Sequence, residues 1–408
     1  MALIVQKYGG TSVADLGRIR NVAKRVAKTR DAGNDVVVVL SAMAGETDRL
    51  IRLAHEASLN TPSLREYDAL ISTGEQVTVS ILAMVLNAMG YRAMSLLGFQ
   101  VRIMTDNAHS MARIMNIDTG VVTNALSEGT IVIVAGFQGV DENSNITTLG
   151  RGGSDTSAVA IAAALKADWC DIYTDVDGVY TTDPNVYKKA RKLKKISYEE
   201  MLELASAGAK VLQHRAVELA SNFRVPVYVK SSFNDDEGTL VTVEDSDMEK
   251  EVVSGVTCDK NQAKVMVVHV PDKPGIAAKL FTPLSDRGII VDMIIQNASY
   301  EGFADLTFTV SKKDVPQVRE IFDTVARETQ ASRVEFDENI SKISIVGIGM
   351  KSHAGVASRM FSALARDGIN IMMISTSEIK ISCVIEEKYT ELAVRVLHDA
   401  FKLEKERK

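Results

Sequence analysis

The glycine-rich motif at residues 150–155 holds residue types that could bind an anion. An alanine-rich stretch follows it and predicts a helix at 156–167, with Ser154 or Asp155 as its cap. Glycine allows the backbone to approach a ligand closely, and the free N–H groups at a helix start attract negative charge. Arg151 adds a planar guanidinium suited to a carboxylate or a phosphate. The alternative is a plain strand-to-helix turn with an incidental arginine, so this interpretation needs partners elsewhere in the chain.

The strands that must position this motif are short apolar runs. The run at 36–40 is mostly β-branched, which is typical of a strand buried on both faces of a parallel sheet. Helical patterns alternate with the strands, and this order predicts the fold class α/β, namely a three-layer αβα domain around a mostly parallel sheet. The predicted strands are 2–8, 36–40, 93–97, 130–135, 171–174 and 225–230.

Four candidate site segments follow predicted strands. They lie at 7–12, 41–47, 136–137 and 174–184. Ligands in such sheets bind beyond the carboxyl ends of the strands, so the four segments are expected to meet at one edge of the sheet. Their shared position supports a binding site more strongly than any single motif does.

The composition is that of an ordinary globular protein, with 46% hydrophobic and 25% charged residues. A length of 408 residues predicts two or three domains. The net charge of −6 makes a nucleic-acid partner unexpected. Three widely spaced cysteines are typical of buried thiols in a reducing cytoplasm. Because the sequence shows neither a signal peptide nor an apolar run of bilayer length, we expect a cytoplasmic protein with no membrane partner.

The second half of the chain predicts a duplicated small domain. Around 237–250 the sequence becomes acidic and loses its periodicity, which predicts a linker. Beyond it, a pattern of glycine turn, helix and strand recurs 80 positions later, with Gly275 matching Gly355. The second copy lacks a final strand, whereas 252–258 is a spare strand ahead of the first copy. We therefore predict a catalytic domain at 1–245 and copies at 264–337 and 342–408, the second completed by the spare strand.

Several motifs together resemble the aspartate kinase (aspartokinase) family. They are Lys7-Tyr8-Gly9-Gly10-Thr11-Ser12, Ser72-Thr73-Gly74-Glu75, the motif at 150–155 and the segment 174–184, followed by the two copies. The resemblance covers essentially the whole chain. It implies an amino-acid-kinase domain followed by two ferredoxin-like ACT domains. It also implies ATP-dependent phosphorylation of L-aspartate to 4-phospho-L-aspartate, the first step towards lysine, threonine, methionine and, in bacteria, diaminopimelate.

This reaction requires charge neutralisation more than a general base. A carboxylate nucleophile has a pKa of about 4 and is already ionised at pH 7. The protein must hold it in line with the γ-phosphorus and neutralise the crowded negative charge. Lys7, at the end of the first predicted strand, is the natural cation, and the N–H groups of Gly9 and Gly10 would bind the phosphates. The sequence contains neither a Walker loop nor the protein-kinase motifs.

The resemblance implies a role for each residue of the substrate pocket. Arg151 would bind the α-carboxylate as a bidentate pair, and Glu75 would bind the amino group. Asp155 would orient lysines or a magnesium-bound water, although an acid in the first turn of a helix is nearly as often a simple dipole partner. The implied catalytic residues are Lys7, Glu75 and Asp155. The implied substrate-binding residues are Ser41, Thr47, Glu75, Arg151, Gly152, Gly153 and Ser154.

The implied cofactors are ATP and Mg²⁺. Magnesium would arrive with ATP and be held mainly by phosphate oxygens and water, so no protein metal ligand is predicted. The turn-rich segment after the strand at 171–174 would bind the nucleotide. The implied nucleotide-binding residues are Lys7, Tyr8, Gly9, Gly10, Ser41, Thr174, Asp175, Tyr180, Thr181, Asp183, Pro184 and Lys210.

By the same resemblance, the two ACT domains would bind lysine, threonine or both as feedback effectors. The turn before the helix in each copy leaves N–H groups free for an amino-acid carboxylate. The implied effector contacts are Asp272, Gly275, Ile276, Ala277, Gln296, Asn297, Gly355, Val356, Asn370 and Ile371. A homo-oligomer or an α2β2-type oligomer through these domains is also implied. The alternative is a purely structural dimerisation module.

Two other functions compete with this interpretation. Another member of the same superfamily would act on acetylglutamate, glutamate or a nucleotide, but the duplicated C-terminal module and the motif at 72–75 favour aspartate. A catalytically inactive amino-acid sensor would keep only the regulatory function. The presence of Lys7, Glu75 and Arg151 argues against that alternative.

Overall fold

The computed structural model describes residues 1–208, 211–245, 248, 252–298 and 302–405. The chain divides into two compact units. The first contains Met1–Tyr180, Lys192–Ser206 and Lys210–Met248, and the second contains Thr181–Arg191, Ala207–Ala209 and Glu249–Lys408. The segment Thr181–Arg191 therefore packs with the second unit, although it lies within the predicted catalytic domain.

An eight-stranded sheet forms the centre of the first unit. Its order is β10-β12-β11-β9-β1-β2-β6-β3, and all neighbours are parallel except β11 and β12, which confirms the predicted mostly parallel sheet. A small second sheet has the order β5-β4-β7-β8. The strands are β1 (Leu3–Tyr8), β2 (Asp35–Leu40), β3 (Ala93–Leu96), β4 (Ile103–Thr105), β5 (Ile114–Ile117), β6 (Ile131–Ala135), β7 (Gln138–Val140), β8 (Ile146–Thr148), β9 (Trp169–Thr174), β10 (Lys195–Ser197), β11 (Val227–Ser231) and β12 (Thr239–Thr242).

Helices cover both faces of this sheet, as the predicted three-layer fold requires. On one face, Val36, Val38 and Leu40 pack into a buried cluster with residues of α1 and α4. On the other face, α6 packs against β1, β2 and β9. The helices are α1 (Leu16–Asp31), α2 (Glu46–Ala57), α3 (Leu64–Ile71), α4 (Thr73–Ala88), α5 (Gly120–Ser127), α6 (Gly153–Leu165), α7 (Tyr198–Ser206) and α8 (His214–Phe223).

The predicted cap of α6 is wrong. The helix begins at Gly153 rather than at residue 156, so Ser154 and Asp155 lie in its first turn. Its N-cap is Gly152, which has φ +71° and makes no side-chain capping bond. A left-handed glycine lets the backbone turn directly into the helix, and no capping side chain is needed.

The predicted linker at 237–250 is wrong in part. Thr239–Thr242 forms β12, which pairs with β10 and β11 inside the central sheet. Thr239 and Val241 are buried and alternate with less buried residues. Four residues are too few for this alternation to stand out in an acidic segment, which explains the error.

Helices α3 and α4 form one apolar helical stretch, Leu64–Ala88, that is long and apolar enough to cross a membrane by length and composition. The sequence interpretation expected no such run. Half of its most apolar window is buried within the protein, and Val79, Leu82 and Leu86 are fully buried in the core beside β2 and β6. Packing against the sheet therefore accounts for its apolar composition.

The second unit contains two four-stranded sheets with the orders β15-β16-β14-β17 and β13-β18-β20-β19. β13 precedes the first copy in the sequence but pairs antiparallel with β18 of the second copy. The strands are β13 (Gly255–Asp259), β14 (Gln262–Pro271), β15 (Val291–Ala298), β16 (Phe303–Ser311), β17 (Arg333–Asp337), β18 (Ile340–Val346), β19 (Met373–Thr376) and β20 (Lys380–Glu386), and the helices are α9 (Ile276–Asp286), α10 (Val315–Glu328), α11 (Val356–Arg366) and α12 (Thr390–Phe401).

The two copies have separate cores and also contact each other within this unit. Met293 of the first copy packs with Ile340, Met373 and Val384 of the second in a small apolar cluster. An ion pair between Asp292 and the buried Lys342 lies beside it. The two copies therefore share a contact that includes β15.

Candidate active site

A cavity of about 650 Å³ opens in the first unit, where β1, β2 and β6 end. Every residue that was predicted to be catalytic or to bind the substrate lies in its lining, although their individual roles stay predictions. The lining residues are Lys7, Ser41, Thr47, Asp48, Ile51, Tyr67, Ile71, Glu75, Ser110, Phe137, Thr148, Gly150, Arg151, Gly152, Gly153, Ser154 and Asp155.

Lys7 and Asp155 form a close ion pair at the inner end of this cavity. Lys7 Nζ lies 2.6 Å from Asp155 Oδ1, and both residues are 8% exposed. Lys7 comes from β1 and Asp155 from the first turn of α6, so two packed elements set the position of the pair. A Cβ atom at Gly9 would lie 3.3 Å from Lys7 Nζ, so glycine leaves room for the ammonium group.

The structure corrects the predicted role of the Gly9 N–H and limits how Tyr8 could contact a nucleotide. The N–H of Gly9 donates to the Tyr173 carbonyl at 3.3 Å, because the pairing of β1 with β9 continues past Tyr8. This N–H is therefore not the phosphate donor that was expected, and Gly10 stays a prediction. The Tyr8 ring is fully buried and stacks on Tyr173 with 4.6 Å between the ring centroids, so only its backbone could contact a nucleotide.

Glu75 is a buried carboxyl group with one unused oxygen. Its Oε1 accepts the Ala42 N–H at 3.0 Å, and its Oε2 is buried with no hydrogen-bond partner among the described residues. Burial raises the pKa of Glu75 from 4.5 to about 7, and the Ala42 N–H offsets part of this rise. An ammonium group in the cavity would supply the missing partner and stabilise the ionised form.

The loop that carries Arg151 has a fixed backbone. Gln213 Nε2 donates to the Arg151 carbonyl at 2.8 Å, and Arg215 donates to the Leu149 carbonyl at 2.7 Å. A Cβ atom at Gly152 would lie 2.5 Å from a carbon of the Gln213 side chain, so this position requires glycine. The Arg151 side chain itself is exposed at the mouth of the cavity.

Sequence reasoning missed three polar residues of this site, namely Asp68, Ser110 and Thr148. Ser110 and Thr148 line the cavity, and both donate hydrogen bonds to the fully buried carboxylate of Asp68. Asp68 lies on α3, seven positions before Glu75 near the start of α4, and this spacing is close to two helical turns. Its neighbours in the sequence include the charged residues Arg65 and Glu66, so no sequence signal distinguishes the buried Asp68 from them.

The first part of the predicted nucleotide segment lies beside the Lys7 strand, because β9 ends at Thr174 and pairs with β1. Asp175 is exposed. The Tyr180 hydroxyl donates to Asp177 at 2.8 Å, and burial together with this carboxylate raises the pKa of Tyr180 to about 12. Lys192 pairs with Asp177 as well, so these contacts define the shape of the turn.

The last part of that segment packs with the second unit. Thr181 is fully buried, and its hydroxyl lies 2.9 Å from His398 Nε2 and accepts the Arg191 N–H. Asp183 is exposed and Pro184 is half-buried. Lys210 lies outside the described residues. The nucleotide roles of these residues stay predictions.

The implied effector residues lie on the turns and edge strands of the two copies. Gly275 and Gly355 have φ +91° and +88° and are the N-caps of α9 and α11. Gln296 is exposed on β15, which is an edge strand. The remaining residues lie close to these points, with Asp272 before α9, Ile276, Ala277 and Val356 in first helical turns, Asn297 on β15, and Asn370 and Ile371 before β19.

Comparison with known proteins matches each part of the chain. The amino acid kinase family matches residues 2–231, and the ACT domain matches residues 264–327 and again 343–401. An aspartate kinase of Pseudomonas fluorescens is 58% identical over 99% of this chain and 98% of its own length. E. coli aspartokinase III, solved in complex with aspartate and ADP in an R-state, is 26% identical with a TM-score of 0.81 over 98% of this chain and 99% of its own. Its complex with lysine and aspartate in a T-state has the same identity and coverage and a TM-score of 0.77.

The chain therefore belongs to the amino acid kinase family, with two ACT domains after the kinase domain. Its cavity collects the charged groups that the sequence predicted for phosphoryl transfer. Within that family it is one of the aspartate kinases, phosphotransferases that act on the carboxyl group of aspartate.

Proposed function

We propose that the cavity is where ATP phosphorylates the side-chain carboxylate of L-aspartate, giving ADP and 4-phospho-L-aspartate. One observation carries this proposal. A single cavity contains a buried lysine paired at 2.6 Å, a buried carboxyl with an unused oxygen and an exposed arginine. These groups match the phosphates, the amino group and the α-carboxylate of the two substrates.

Lys7 acts on the phosphates in this proposal. Its ammonium group neutralises negative charge as the γ-phosphoryl group moves to the acceptor, and Asp155 orients that group. Burial strengthens this effect because water screens the charges less. No residue has to remove a proton from the substrate, since a carboxylate is already ionised at pH 7.

Glu75 and Arg151 recognise the amino-acid group of aspartate. The free oxygen of Glu75 accepts a hydrogen bond from the ammonium group, and the Arg151 guanidinium pairs with the α-carboxylate. The hydroxyls of Ser41, Thr47 and Ser154, which also line the cavity, are available for the remaining oxygens. The side-chain carboxylate of the substrate then points towards Lys7.

Mg²⁺ would enter with ATP and neutralise phosphate charge. Among the described residues, the cluster of potential metal ligands found is His398, Asp399 and Glu404, which lies in the second unit. In the cavity, Asp155 would hold Mg²⁺ through a bound water, and phosphate oxygens and water would complete the shell. This donor set fits the way Mg²⁺ usually binds with nucleotides.

The test of this function is ADP release measured with aspartate, glutamate and acetylglutamate as separate acceptors. We expect aspartate to give by far the highest kcat/KM. A higher kcat/KM for glutamate or acetylglutamate would show that the chain has the specificity of another member of the superfamily. Tight binding of lysine or threonine without turnover of any acceptor would favour an inactive sensor.

We also propose that lysine, threonine or both bind the second unit as feedback effectors, near the contact between the two copies. Met293 on β15 packs with Met373 on β19, so the strands that carry or follow the implied effector residues contribute to one cluster. Gln296 lies three positions after Met293 and is exposed.

Gln296→Ala tests this effector site. We expect the variant to need about tenfold more effector for half-inhibition, because one or two hydrogen bonds of about 1 kcal/mol each are lost. Uninhibited kcat should not change, since Gln296 lies in the second unit. Superimposable inhibition curves for variant and wild type would remove Gln296 from the effector site.

Assembly and location follow the same family pattern. We propose association of chains through the ACT domains, as a homo-oligomer or an α2β2-type oligomer. The exposed Ile294 on edge strand β15 and the exposed Ile290 just before it support this proposal. The three free thiols Cys170, Cys258 and Cys383 support a cytoplasmic location.

A further inference from the structure

Asp68 is the centre of a hydrogen-bond network in the wall of the cavity. It lies on α3 and is fully buried. Its Oδ2 lies 2.8 Å from His109 Nδ1 and accepts the N–H groups of Ser110 and Thr148 at 2.9 and 3.0 Å. Its Oδ1 accepts the Thr148 hydroxyl at 2.6 Å. A single carboxylate therefore joins three separate segments of the chain.

These bonds hold the segment around Ser110 against the glycine-rich loop. The Ala112 N–H donates to the Thr148 carbonyl at 2.9 Å, which closes the segment onto the end of β8. A Cβ atom at Gly150 would lie 3.1 Å from the Ser110 carbonyl oxygen, so the two backbones are in close contact. Thr148 precedes the loop that carries Arg151 by only two positions. The position of Asp68 therefore influences the position of that loop.

Asp68 and Glu75 lie on consecutive helices, α3 and α4, with only Ser72 between the two. The helical stretch Leu64–Ala88 contains both acids. Seven residues are almost two full turns of an α-helix, so Asp68 and Glu75 lie about 10 Å apart along this stretch. One side of the network is thus linked to Glu75 through these helices, and the other side is fixed to the strand that leads into the Arg151 loop.

We propose that Asp68 is a positioning residue of the aspartate pocket, which sets the separation between Glu75 and the Arg151 loop. This inference rests on the proposed function, in which these two residues bind the amino group and the α-carboxylate. A substrate with two charged groups is bound tightly only when both partners are held at the matching separation. Asp68 does not touch the substrate; it acts through Ser110 and Thr148.

Asp68→Asn tests the proposal, with Glu200→Gln as the matched control. The asparagine keeps the size but turns an NH2 group towards hydrogen-bond donors that the carboxylate had satisfied. We expect KM for aspartate to rise at least tenfold while KM for ATP stays within twofold. Glu200 is equally buried and accepts the Ser197 N–H at 3.2 Å, but it does not line the cavity. Its substitution should change neither KM.

If Asp68→Asn does not fold, two variants of Thr148 test the positioning role of Asp68 instead. Thr148→Val keeps the shape of the side chain and removes the 2.6 Å bond to Asp68, whereas Thr148→Ser keeps the hydroxyl. We expect Thr148→Val to raise KM for aspartate about tenfold and Thr148→Ser to restore it to within threefold of wild type.

Three results would overturn the positioning role: an unchanged KM for aspartate in folded Asp68→Asn, equal changes in Asp68→Asn and Glu200→Gln, or equal damage from Thr148→Ser and Thr148→Val. The wild type is assayed alongside. If it fails to phosphorylate aspartate, the proposed function fails instead, so the two failures are distinguishable.

Discussion

The inner end and the mouth of the cavity each present a cation, and the two are built differently. Lys7 on β1 is 8% exposed and lies 2.6 Å from Asp155 on α6, which packs against the sheet. Arg151 is exposed, and the structure fixes its backbone through Gln213 and Arg215. A buried, oriented charge is ready to act before the substrate arrives. An exposed arginine loses side-chain freedom on binding.

This difference predicts that the inner end of the cavity mainly determines kcat and that its mouth mainly determines KM. A preorganised cation in a site screened from water stabilises charge that develops in the transition state, so its loss lowers kcat. A cation that orders around a substrate contributes to binding in the ground state and the transition state alike, so its loss raises KM.

The largest effect is expected from Lys7→Ala. Removing the cation at the phosphates should lower kcat about 10³-fold and leave KM for aspartate within threefold. Steady-state ADP release at several aspartate concentrations measures both constants. Lys28→Ala is the control, since Lys28 also pairs with an aspartate but at 3.4 Å on the surface. A large rise in KM with normal kcat would place Lys7 on aspartate instead.

A smaller effect is expected from Arg151→Ala. Loss of a charged pair to the α-carboxylate should raise KM for aspartate about 100-fold, or about 3 kcal/mol, with kcat within threefold. The same assay gives the result, and Arg92→Ala is the control, because Arg92 is an exposed arginine paired with Glu128. If KM for ATP rises while KM for aspartate does not, Arg151 binds the nucleotide.

The smallest effect is a pH dependence that arises from Glu75. Its pKa is raised to about 7 by burial, and only the ionised form can bind an ammonium group well. We therefore expect kcat/KM for aspartate to fall about tenfold from pH 8 to pH 6. Glu75→Gln should lower kcat/KM at pH 8 and remove this dependence. If kcat/KM of the variant still depends on pH as in the wild type, a group other than Glu75 is responsible for the titration.

Unfolding experiments on the same variant provide an independent control. The folded-state pKa of Glu75 lies above its ordinary value of 4.5, so the folded protein holds an extra proton between pH 4.5 and 7. The free energy of unfolding therefore falls as pH rises through this window, by up to about 3 kcal/mol from Glu75 alone. We expect Glu75→Gln to lose this part of the fall. If the free energy of unfolding depends on pH in the same way in the variant and the wild type, the folded state does not raise the pKa of Glu75.

The sequence predicted the class of the fold and the members of the cavity well, for identifiable reasons. Buried parallel strands such as Asp35–Leu40 are unbroken apolar runs, and the residues after them meet at one edge of the sheet. Strand β12 was not predicted because four residues in an acidic segment are too few to show the alternation of apolar and polar residues. The cap of α6 was predicted wrongly because Gly152 begins the helix through its backbone conformation. Preferences for capping side chains do not reveal such a start.

The arrangement within the cavity was harder to predict, because it depends on contacts between distant segments. Residue pattern alone does not pair Lys7 with Asp155, which is 148 positions away, and only the family resemblance implied that Asp155 orients lysines. The network around Asp68 joins positions 68, 110 and 148 in the same way. The use of the Gly9 N–H by Tyr173 follows from strand register, which a single sequence does not specify.

The division between the two cations is tested most sharply by kcat for Lys7→Ala and Arg151→Ala, measured side by side at aspartate and MgATP concentrations that saturate each variant. We expect kcat of Arg151→Ala to lie within threefold of the wild-type value, whereas kcat of Lys7→Ala stays at least 100-fold lower. Equally slow turnover of both variants at saturation would contradict the division between the inner end and the mouth of the cavity.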